Sequence, residues 1–285
     1  MKLKYQIIFF CFLAFFISWV SKFISSAANT GLINHNIPKG LLQLFAQSGP
    51  SIAGITSIFA FSGKNGILRL IKNLTRFNIK LKWYVFAMVF ELLIFLIIVL
   101  LYHSLKLIDL NNEAINWLSS IGGFLINTFF LTLLTGLGEE IGWRGFLLPR
   151  LQACFPVIIS SLILALIVSL WHLRINDVTL ILEGNFEGFW RSFLPDMVLR
   201  ILISIPVIFI IVYLFNITKG SLIIMIIFHG SSNASYEWVK EITGVSDPFF
   251  VLPLFAAMLW ITSIFFIPAL IKQEKENKIT TFMTS

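Results

Sequence analysis

Eight windows of about 20 mostly apolar residues follow one another along this chain, near 5–22, 41–62, 83–102, 119–150, 156–175, 192–215, 220–238 and 249–271. Each is long enough to cross a hydrocarbon core about 30 Å thick as a helix. Inside such a core every backbone N–H and C=O must be satisfied internally, which leaves only helices and closed barrels. Barrel strands would alternate over about 10 residues, and these windows do not. Only 12% of the 285 residues are charged, against about 25% in soluble domains. The chain is therefore predicted to be all-α, a polytopic helical bundle of the membrane. No repeat, low-complexity stretch or long linker divides it, so a single integral-membrane domain over 1–285 is expected.

The net charge of +7 is unevenly placed. Lys64, Arg69, Lys72, Arg76, Lys80 and Lys82 fall between the second and third windows, and Lys272, Lys275 and Lys278 follow the last. That pattern places both termini in the cytoplasm by the positive-inside rule and suggests contact with anionic membrane lipid rather than nucleic acid. Asp109, Glu113, Asp177, Glu183 and Glu187 fit outer connections over 103–118 and 176–191, whereas Lys22 and Lys39 run against the rule. Over 64–80 the cations recur at steps of three and four, opposite Ile67, Leu70, Ile71, Leu74 and Phe77. That spacing describes either an amphipathic helix in the interface or a charged loop that only sets orientation. The first window could be a signal peptide with Ser25–Ala28 as its exit. Retention is favoured, because the later topology needs an amino terminus that starts inside. Cys11 and Cys154 predict no disulfide framework, and no neighbouring base equips Cys154 as a nucleophile.

Against this apolar background, a few ionisable residues carry the chemistry. Each costs on the order of 3 kcal/mol at bilayer depth and needs an internal partner. Glu140 and Arg144, four apart on a helix, are expected to pair. Glu139 is turned about 100° away and is left free as a general base. His229 and Asn233 project from one helix face with small residues between them, and two such donors could hold an oxyanion. They could equally form a helix–helix hydrogen bond. His172 alone reads as an interfacial histidine, but depth adds weight to it. At 1.5 Å per residue, Glu139, His172 and His229 lie about 16, 24 and 15 Å from one membrane face, close enough for tilt to gather them into one cavity.

Glu139, Glu140 and Arg144, followed by His172 and then by His229 with Asn233, resemble the motifs of the CAAX protease and bacteriocin-processing intramembrane endopeptidases, the type II CAAX prenyl endopeptidases. The run 142–151 is similar to that family's extended first motif. One departure is Val168, where the family usually carries Phe four residues before the histidine. The resemblance covers about 119–238, which is expected to hold the catalytic core. It implies an eight-helix bundle whose site opens toward the cytoplasm within the membrane. It also implies that Glu139 activates water with help from His172, that Glu140 and Arg144 support the site, and that His229 with Asn233 stabilise the oxyanion.

The chain is thus expected to be a multi-pass hydrolase of the cell membrane that cuts peptides or proteins, lipidated or not, near the cytoplasmic side. No cofactor is required by this reading. Zinc held by Glu139, His172 and His229 stays open, although no His-Glu-x-x-His is present and Asn233 is a poor zinc ligand. Other readings are a proton-coupled transporter, which should show inverted repeats, and a non-enzymatic immunity protein of the same fold.

Overall fold

The computed structural model describes residues 2–34, 36–108, 117–245 and 248–279; Asp109 and Glu113 lie outside them. Helices α1 (Leu3–Asn29), α2 (Lys39–Leu74) and α3 (Leu81–Ser104) come first. A composite helix follows, built from α4 (Trp117–Leu131), α5 (Leu137–Gly142) and α6 (Leu148–Cys154) joined by π-helical turns at Thr132–Gly136 and Trp143–Leu147. Then come α7 (Val157–Trp171), α8 (Ile175–Leu182), α9 (Phe186–Ile217), α10 (Leu222–Thr243) and α11 (Pro248–Lys275). Large apolar side chains such as Phe12, Phe59, Ile97 and Phe265 are exposed on the helix flanks, as expected where the neighbouring solvent is hydrocarbon.

Among the described residues, six helices are long and apolar enough to cross a membrane: Leu3–Asn29, Lys39–Leu74, Leu81–Ser104, Ile121–Cys154, Phe186–Ile217 and Phe249–Lys275. A seventh candidate is the pair α7 and α8, bent by 54°. The window expected at 220–238 does form a helix, α10, but it is not among these candidates. Its second half, from His229 to Lys240, is largely polar. It packs against α3, α4, α5 and α9 in the middle of the bundle, where protein rather than lipid receives those groups. The expected outer loop 176–191 also differs. It contains α8 and the start of α9, and Asp177 is buried, not solvated.

Cross-bundle hydrogen bonds fix which helix ends share a face. Arg150 donates to Gln6 at 2.8 Å, the Val157 N–H to Glu274 at 2.8 Å and the Ser221 hydroxyl to the Arg76 carbonyl at 3.0 Å. The starts of α1, α7 and α10 therefore lie with the ends of α2, α6 and α11. At the opposite end, the Trp19 indole donates to the Trp171 carbonyl at 3.1 Å, Lys22 to that of Leu173 at 2.8 Å, and Tyr102 to that of Phe250 at 2.9 Å.

Two glycines shape this frame. Gly63 has φ 56° and ψ −151°, a region essentially reserved for glycine, and it ends the long apolar part of α2. The amphipathic segment beyond it is helical only to Leu74, shorter than the 64–80 expected. At Gly142 a Cβ would stand 2.1 Å from the Pro50 carbonyl oxygen, so α5 touches α2 backbone to backbone. Gly142→Ala is expected to cost about 1–3 kcal/mol, read as a lower thermal midpoint in detergent, because no flexible side chain can yield there.

Candidate functional site

The two π-helical turns flank the six residues of α5, and such turns are frequent at functional sites. Between them α5 keeps α-helical geometry, which points Glu139 and Glu140 in different directions. Glu140 is fully buried. Its Oε1 accepts from Arg144 at 2.7 Å and from His229 Nδ1 at 2.7 Å. The i,i+4 pair anticipated from spacing is therefore present, with a histidine joined to it. Because a carboxylate can only accept, Nδ1 of His229 carries the proton, and Nε2 is turned toward Glu139 Oε1 at 3.8 Å. Atoms that far apart can both hydrogen-bond a single water about 2.8 Å from each.

Glu139 is held from the side. Its Oε2 accepts from the Trp143 indole at 3.2 Å, and Trp143 is itself locked edge-on against Phe10 and Trp171. His172 caps α7, and its Nδ1 lies 2.7 Å from the Val168 carbonyl. A backbone carbonyl orients the ring, so having valine rather than phenylalanine at 168 does not disturb that bond. The same bond makes Nε2 the acceptor nitrogen. Asn233 donates one N–H to Thr135 Oγ1 at 3.0 Å, leaving its second N–H available.

These side chains line one chamber with two arms. The smaller arm, about 220 Å³, runs between α9 and α11, with apolar walls from Leu199, Ile203, Val207, Leu252 and Phe255. The larger, about 630 Å³, leads past Gln43 and Gln47 to Lys22, Lys39 and Arg174. Glu139, His172, His229 and Asn233 border both arms. Arg144 borders the smaller, and Glu140, absent from both linings, lies behind them bonded to Arg144 and His229.

Three further residues belong to the chamber and were not anticipated. Arg200 borders both arms and bonds Asp196, which also pairs with Arg174 at 3.2 Å. Glu91, 5% exposed on α3, accepts from Ser232 and faces the smaller arm. Its signal was available in the sequence, as the one charge between Lys82 and Lys106 in the described helix.

Among the described residues no group of three or more His, Cys, Asp or Glu side chains is placed to hold a metal ion. As they stand, Glu139, His172 and His229 do not form a zinc site.

Residues 121–235 match the family described as type II CAAX prenyl endopeptidase Rce1-like. Over that stretch the chain is similar to the Rce1-like family. The CAAX prenyl protease 2 of Methanococcus maripaludis is similar to it, 32% identical over 122 residues that make up 41% of this chain and 44% of the relative. The chain thus matches less than half of that relative's length. The Rce1-like stretch carries all six anticipated site residues and Arg200, while Glu91 lies outside it.

Proposed function

We propose that this chain is an intramembrane endopeptidase in which a carboxylate activates water. The observation that carries the reading is Glu139 Oε1 facing His229 Nε2 across 3.8 Å, in a chamber that His172 and Asn233 also border. Glu139 takes a proton from the water, whose oxygen attacks the carbonyl carbon of the scissile bond, while His172 Nε2 accepts a hydrogen bond from the O–H that remains. His229, as an imidazolium whose charge Glu140 balances through Nδ1–H, donates from Nε2–H to the oxyanion together with the free Asn233 N–H. Collapse of the intermediate breaks the C–N bond, and Glu139 passes its proton to the leaving nitrogen. Glu140 sets the ring of His229 and is charge-balanced by Arg144.

The substrates are peptides or proteins reaching the chamber from the membrane. The apolar smaller arm suits a lipid or apolar side chain, in keeping with the prenyl substrate named for the relative. The basic α2–α3 connection assigns that end of the bundle, with the start of α1 and the end of α11, to the cytoplasm.

The test is cleavage of a membrane-peptide library in vesicles, with products read by mass spectrometry. The wild-type chain is expected to cut, to keep cutting with a chelator present, and to lose cutting as His229→Ala. Equal cutting by that variant sinks the reading. Loss with chelator and return on adding zinc would replace it with the metal mechanism.

A further inference from the structure

A second cavity, of about 1080 Å³, opens at the end of the bundle where α9 and α11 finish. It shares no lining residue with the chamber around Glu139. Four cations border it: Arg76 from the α2–α3 connection, Lys219 just beyond α9, and Lys272 and Lys278 at the end of α11. Against them stands one carboxylate, Glu276, which Lys278 and Lys272 share, the latter at 3.9 Å. Among the described residues no carboxylate pairs with Arg76 or Lys219. The wall also holds an unsatisfied polar group. Gln273, 7% exposed, donates to the Tyr213 carbonyl at 3.3 Å, and its Oε1 has no hydrogen-bond partner.

The backbone sets the lysines there. Both helices end in the same turn: the Gly220 N–H donates to the Phe215 carbonyl at 2.8 Å and the Lys219 N–H to that of Asn216 at 3.0 Å. The Lys278 and Asn277 N–H groups repeat the pattern on Gln273 and Glu274 at 2.9 and 3.0 Å. Such a turn needs a left-handed residue, usually glycine, yet Lys219 and Asn277 fill the two positions, each with φ 53°. Among the described residues only Lys106 is another non-glycine residue with positive φ. On α11, steps of three and four lead out of the cavity along one helix face. Glu276, Lys272 and Ala269 line it, and Phe265 and Ile261, both largely exposed, continue the stripe. A cationic pocket thus passes into an apolar strip on a helix of membrane-spanning length.

We propose that this cavity binds an anionic phospholipid whose headgroup carries a free hydroxyl, phosphatidylglycerol being the simplest. The phosphodiester faces Arg76, Lys219 and Lys272. A headgroup hydroxyl supplies the donor that Gln273 Oε1 lacks, and an acyl chain lies along Ala269, Phe265 and Ile261. Basic pockets between spanning helices hold anionic headgroups in this way. A zwitterionic headgroup brings its own ammonium into the same ring of cations, and a free phosphate ion leaves the apolar strip unused.

The test is native mass spectrometry of the full chain in detergent, mixed with equal amounts of phosphatidylglycerol and phosphatidylcholine. The wild type is expected to keep one phosphatidylglycerol when the detergent is stripped, and no phosphatidylcholine. Arg76→Gln with Lys219→Gly is expected to lower that retention about thirtyfold, as two cations near a lipid surface imply. Its thermal midpoint in detergent alone is expected to be no lower than that of the wild type, because glycine is the relaxed residue at 219. Should the pair destabilise the chain, Lys219→Gly alone carries the test, at about fivefold. Gln273→Leu is expected to lower retention about fivefold through the lost hydroxyl contact. Lys39→Gln, at the other cavity, is expected to retain the lipid as the wild type does, and excess inorganic phosphate is expected not to displace it. Equal retention of the two lipids overturns the proposal, as do an adduct unchanged in Lys219→Gly, an adduct lost in Lys39→Gln, or displacement by phosphate. Unchanged retention in Gln273→Leu overturns the hydroxyl contact.

Discussion

Glu139→Gln is expected to lower the rate of peptide cleavage by about 10³-fold while the protein still folds and inserts. Glutamine keeps the shape of the side chain and an oxygen that can accept from Trp143 Nε1, so the packing of Trp143 against Phe10 and Trp171 is preserved. What it removes is the second carboxylate oxygen, the one facing His229 Nε2, and with it the base. The check is an initial rate in vesicles beside a thermal unfolding curve. Near-wild-type turnover with an unchanged curve would remove Glu139 from the chemistry.

Glu140→Ala is expected to damage the fold as well as the activity. Glu140 receives both the Arg144 guanidinium and the His229 Nδ1–H in full burial. Its removal leaves Arg144, 3% exposed, as an uncompensated buried cation, at a cost of about 3–5 kcal/mol. The double variant Glu140→Ala/Arg144→Leu is expected to regain most of the lost thermal stability, since neighbouring sites in one network do not add. It is not expected to regain activity, because His229 has lost the anchor that aims its Nε2. Unchanged stability in Glu140→Ala would contradict the buried-pair account.

The helical spacing rules made part of this site legible. Glu140 with Arg144 follows from i,i+4 geometry, and the apolar windows anticipated most of the helices. The link from His229 to Glu140 was not legible, because it joins residues 89 positions apart through the packing of α10 on α5. Arg200 and Asp196 were hidden for another reason: in sequence they are ordinary charges near a helix start, and only the bend between α7 and α8 brings Arg174 onto Asp196. Glu91 was readable but passed over, since one carboxylate in an apolar helix announces itself only when its cost is weighed. The polar half of α10 shows where apolar windows mislead. A helix enclosed by other helices can carry histidine, serine and asparagine without meeting lipid.

The most direct test of the central claim is the electron density between Glu139 and His229 in an experimentally determined map of the wild-type protein in lipid, at a resolution that shows ordered water. The account predicts a water within hydrogen-bonding reach of Glu139 Oε1 and His229 Nε2, with His229 Nδ1 still on Glu140. A map in which His229 turns away from Glu140 toward acyl chains, or in which the space beside Glu139 is dry and closed by apolar side chains, would contradict it.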